Sequence, residues 1–180
     1  MESKDRFIQL KAFPLIVPNT YQHATQLISF RRKHHGRFYF YHGDITDGNF
    51  SLASAQLIPG KTYLVRFFEI VSPKEPSEAC MEFLHLQKTI LVNAQGLSFV
   101  WEQSRREFPQ GKSVWSFDRK GSLFVVKDGF PDDDDRDGDH MVPRICRSSD
   151  GLTWGFGLSR FEADLQHNCC LLSVQDAANE

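Results

Sequence analysis

Cysteine is scarce in this chain of 180 residues, and the four present, Cys80, Cys146, Cys169 and Cys170, are too few and too irregularly spaced for a disulfide framework. Reduced thiols buried as small hydrophobes are the expectation. Long apolar runs are also missing: stretches such as Thr89, Ile90, Leu91 and Val92 fall far short of the roughly 20 residues a membrane helix needs. The first residues, Met1, Glu2, Ser3, Lys4, Asp5 and Arg6, carry both signs of charge and lack the apolar stretch of a secretory signal. A soluble, cytoplasmic protein with no membrane partner is expected.

Catalytic signatures are wanting too. There is no G-x-S-x-G elbow, no P-loop and no dinucleotide turn, because Gly155, Phe156 and Gly157 fall inside an expected strand with no helix after it. Methionine occurs three times against sixteen phenylalanines, so the core is expected to be built from interlocking rings. With 41% hydrophobic and 24% charged residues, the composition is that of a globular chain, and its length suits one domain over residues 1–180.

Periodicity predicts an α+β fold in which a largely antiparallel, or mixed, sheet packs against two or three helices. Residues 1–18 contain Pro14 and Pro18 and read as an edge strand or extended arm. Apolar residues at helical spacing predict a helix over 20–33, with Thr20 as its N-cap. Alternating rings predict a strand over 37–42, which turn residues at 43–48 would join to a second strand over 49–57. A third strand over 61–71 would complete a meander. A helix is expected from Ser77, a strand over 88–93 from its Thr, Ile and Val, and a helix over 97–108. Strands are then expected at 113–117 and 123–127 as a hairpin, and at 142–147, 153–161 and 169–174, with 176–180 as a frayed tail.

Charge is segregated. Residues 1–41 hold seven Lys/Arg against two acids, a net +5, whereas residues 130–140 hold one Arg against six Asp, a net −5. Within the basic part, Arg31, Arg32, Lys33 and Arg37 precede or interleave with Tyr39 and Tyr41. Cations that neutralise phosphates beside rings on which bases stack are what single-stranded nucleic acid requires. The same residues also fit a basic helix end that complements its dipole, followed by a core strand.

The acidic part has Asp133, Asp135, Asp137 and Gly138 at the spacing that opens a calcium loop. Arg144 at the twelfth position, where a glutamate belongs, excludes an EF-hand and leaves a non-helical divalent-metal loop or a solvated one. A third set, His42, Asp44, Asp47 and His140, would make a metal-dependent hydrolase if the fold brought its members together. A zinc site from His140, Cys146, His167 and Cys169 or Cys170 has no C-x-x-C clamp to support it. The expectation is therefore a non-enzymatic binding protein without a cofactor and with another protein as its partner. Single-stranded nucleic-acid binding and metal-dependent hydrolysis are its alternatives.

Overall fold

The computed structural model describes residues 6–118 and 140–177. Within them, seven strands form one mixed sheet: β1 (Phe7–Ile16), β2 (Phe38–Tyr41), β3 (Thr62–Ile70), β4 (Ser113–Trp115), β5 (Met141–Arg147), β6 (Trp154–Arg160) and β7 (Cys169–Asp176). Three helices accompany it, α1 (Gln26–His34), α2 (Ser77–Leu86) and α3 (Asn93–Ser104), so the fold is α+β with a largely antiparallel sheet. The strand order is β1-β3-β7-β4-β5-β6-β2, with parallel pairing only for β2 with β6 and β4 with β7. None of these helices is long and apolar enough to cross a membrane.

Because successive strand residues point to opposite faces, β7 feeds two cores. Cys170, Leu172 and Val174 join a cluster with Leu27 and Phe30 of α1 and Leu97, Val100 and Trp101 of α3. Cys169 and Leu171 join another with Cys80, Phe83 and Leu84 of α2. The sheet is thus covered by α1 and α3 on one face and by α2 on the other, a layering that buries each helix's apolar side. Residues 93–101 of α3 are buried all round, as expected of a helix between a sheet and α1. Burial holds the Cys80 and Cys170 thiols protonated, pushing each up to about 12.

Several expectations fail. No strand forms over 49–57: the segment folds into turns, with Phe50 N–H bonded to Thr46 C=O and Asn49 Nδ2 donating to Asp44 C=O. The meander is therefore absent. β2 lies at one edge of the sheet against β6, while β3 sits between β1 and β7 near the other. No strand forms over 88–93: residues 88–92 are neither strand nor helix and Asn93 opens α3, because Lys88 and Asn93 take positive φ, 54° and 53°, and break extended geometry at both ends. This linker makes one backbone bond to the sheet, Ile90 N–H to Val174 C=O, beyond the residues of β7 that β4 pairs with. Helix α3 begins at Asn93 and not after a turn at 94–96. The strand expected at 123–127 lies outside the described residues, as do residues 178–180, while Asp176 is the last residue of β7 and ion-pairs with Lys61.

Candidate functional site

The start of α1 decides the role of one candidate metal ligand. Thr20 does not cap the helix; a 3-10 turn over His23–Thr25 precedes it, and Thr25 makes no side-chain cap bond. Both carboxylate oxygens of Asp47 take that role, accepting from the backbone N–H of Leu27 at 3.0 Å and of Ile28 at 2.9 Å. The charge also complements the positive end of the helix dipole. Asp47→Ala is expected to cost about 1–2 kcal/mol, the value of a helix cap, read as a lowered urea midpoint. Asp47→Asn, which keeps one acceptor, is expected to lose less. Equal stability of the alanine variant and the wild type would show that α1 does not depend on this cap.

The other members of the hydrolase set stay apart. His42 and Asp44 are neighbours, with Nδ1 and Oδ2 3.7 Å apart and the Asp44 N–H donating to Nδ1 at 3.2 Å. Tyr41 stands opposite Phe156 on β6, whereas His140 precedes Met141, which stands opposite Arg160. Four residues of strand, about 13 Å, separate those two positions. The zinc set is divided as well: Cys169 and Cys170 point to opposite faces and His167 is exposed. Among the described residues, no three His, Cys, Asp or Glu side chains are grouped to hold a metal ion. Asp133, Asp135 and Asp137 lie outside the described residues.

The basic-aromatic segment forms the end of α1 and the edge strand β2. Lys33 and His34 are both committed to Glu102 Oε1, each at 3.2 Å, and Gln26 donates to its other oxygen. Burial alone would raise the Glu102 carboxyl, but these bonds from His34, Gln26 and Lys33 outweigh it and hold the group below its usual range. The Arg31 guanidinium lies 5.3 Å from the Tyr41 ring centroid. Tyr41 itself packs inward, its hydroxyl buried without a partner and its ionisation pushed up by burial. Of the two tyrosines expected to stack on bases, only Tyr39 is open, at 71% exposure.

An irregularity in the β2–β6 register at Tyr39 explains why both Tyr39 and Phe40 can lie over glycines. A Cβ on Gly155 would stand 3.1 Å from Tyr39 Oη, and one on Gly157 would stand 3.5 Å from Phe40 Cε1. The two bare positions on β6 are therefore occupied by rings of β2.

Beside this edge, a cleft of about 370 Å³ brings together three distant segments: Arg37 and Tyr39, Trp101 and Arg105, and Leu152 and Trp154. Trp101 and Trp154 are buried and meet edge to face at 5.4 Å, forming its floor. Each ring also carries a guanidinium on its face, Arg105 at 5.8 Å from Trp101 and Arg147 at 5.2 Å from Trp154. Arg147 is tied down by bonds to the carbonyls of Phe108 and Gly151. No carboxylate lines the cleft among the described residues. Arg31, Arg32, Arg37, Arg105 and Arg106 make no ion pair among the described residues, whereas Arg6, Lys11, Lys61, Lys74 and Lys112 each have an acidic partner.

Sequence reasoning found Arg37 and Tyr39 but missed Trp101, Arg105 and Trp154. Trp101 and Arg105 are four apart on a helical stretch, the spacing at which a cation reaches a ring, and that signal was available. Trp154 had none. No family model matches the chain, and no curated protein or solved structure matches it significantly.

Proposed function

We propose that the protein is a non-enzymatic binding protein whose ligand is single-stranded nucleic acid, held at the cleft between β2, α3 and the turn before β6. The observation that carries this reading is the cleft itself. It sets two guanidiniums without acidic partners, Arg37 and Arg105, around a tryptophan floor and the open ring of Tyr39. Cations there meet phosphates, the Tyr39 face takes a base, and the absence of carboxylates from the described lining leaves the attraction unopposed. An acidic peptide would satisfy the guanidiniums but leave the ring without a stacking partner.

Fluorescence anisotropy with a labelled mixed-sequence oligonucleotide tests the proposal. Phosphate contacts from the Arg37 and Arg105 guanidiniums give a slope of roughly −1.4 in log affinity against log salt, a loss of about sevenfold between about 50 and 200 mM salt. Arg37→Ala with Arg105→Ala is expected to weaken binding by at least about tenfold and to flatten that slope. No binding at low salt, or equal competition by polyglutamate, would sink the reading.

A second reading keeps a protein as the partner. It is favoured by the position of β2, which is paired only with β6 among the described residues and exposes Tyr39 and Phe40, at 71% and 48%. Such an edge takes an extended peptide by strand addition, and binding of that kind depends little on salt.

A further inference from the structure

Two more depressions adjoin the cleft along the end of α3. The first, about 560 Å³, lies between β1 and the turn that follows α3 and is lined by Phe13, Pro14, Glu102, Arg105, Arg106 and Glu107 among others. The second, about 190 Å³, is lined by Tyr21, Gln26, Lys33, Phe99, Glu102 and Gln103 among others. Arg105 stands in the wall of both the cleft and the larger depression. Glu102 and Gln103 stand in the walls of both depressions. The three hollows therefore follow one another without a gap in the residues that line them.

Resting on the reading of the cleft as a nucleic-acid site, we infer that the strand runs through all three hollows as one extended track, with Arg106 as a phosphate contact in its middle. The charges along the track support this occupant. Its carboxylates are already matched, Glu102 by Lys33 and His34 and Glu107 by Lys11 at 3.4 Å. Arg105 and Arg106 are not, so the middle of the track presents cations to whatever enters it. A strand contacting Arg37, Arg105, Arg106 and the Lys33 end covers about four nucleotides or more, the lower range for single-strand binding domains.

Oligothymidylates of about two to twelve nucleotides, titrated against quenching of the tryptophans, test the track. Affinity is expected to climb beyond the statistical gain from added length and to level off at about four to six nucleotides. Arg106→Ala should weaken binding of the longest oligomer by about fivefold or more and leave the dinucleotide unchanged, with Arg106→Lys recovering most of the loss. Arg37→Ala should weaken both. Levelling off at the dinucleotide, or no effect of Arg106→Ala on the long oligomer, overturns the track while leaving the cleft reading intact. Absence of binding at every length overturns both.

Discussion

Gly96→Ala is expected to destabilise the protein by about 2–3 kcal/mol, although helix propensity alone favours alanine there by about 1 kcal/mol. The reason is space. A Cβ at position 96 would stand 2.2 Å from Val92 Cγ2 and 2.3 Å from Val92 Cβ, contacts that no packing tolerates. Val92 is 1% exposed and cannot swing away, and the Gly96 N–H is bonded to its carbonyl at 2.9 Å. The backbone between them is fixed by Asn93 at positive φ, whose side chain accepts from the Ala94 N–H. A chain of this size should lose about 5–10 °C of melting temperature. Adding Val92→Gly, which removes both of the contacting atoms, should relieve the clash that Gly96→Ala introduces, so that the two substitutions couple favourably in a double-mutant cycle. A raised melting temperature for Gly96→Ala would show that propensity governs this helix start and that Val92 moves freely.

The second large effect is a dependence of stability on pH that originates at His23. Its imidazole is 7% exposed, shares a hydrogen bond of 2.9 Å between Nδ1 and the Tyr21 hydroxyl, and has Nε2 buried without a partner. Burial disfavours the imidazolium and pushes the group down to about 4. The unfolded chain therefore binds a proton between about pH 6.5 and pH 4 that the folded chain refuses. The contribution is fully present above pH 6.5, is lost as pH falls through that window, and amounts to about 3 kcal/mol. Urea midpoints across that range should fall more steeply for the wild type than for His23→Gln, in which no such proton is taken up. Parallel curves for the two proteins would assign the acid sensitivity to carboxylates elsewhere.

Positions where a local pattern and its packing agreed were legible in the sequence. β3, β6 and β7 lie within about two residues of the stretches expected to be strands, because each strand buries residues on both faces and carries β-branched or aromatic side chains. The burial of α2 through Cys80, Phe83 and Leu84 follows from helical spacing in the same way. Where a pattern had another cause, the reading went astray. The alternation at 49–57 arises from residues such as Phe50 and Leu57, which anchor a looped segment to the core where no strand forms. Asp47 looked like a turn carboxylate free to bind a metal, yet it closes the open end of a helix that starts twenty-one residues before it.

The sequence by itself determined the α+β class, the ring-built core, the burial of Cys80, Cys169 and Cys170 but not of the half-buried Cys146, and the positions of most elements, because these rest on composition and on periodicity within about ten residues. Only the tertiary structure decided which strands pair, and so that β2 lies beside β6, more than a hundred residues away along the chain, and not beside its neighbours. The same long-range pairing assembled the cleft, bringing Arg37, Arg105 and Trp154 into one place from three segments. Local pattern carries no record of such distant partners: each residue's propensity reports which face it buries, and only the closed fold sets what lies against that face.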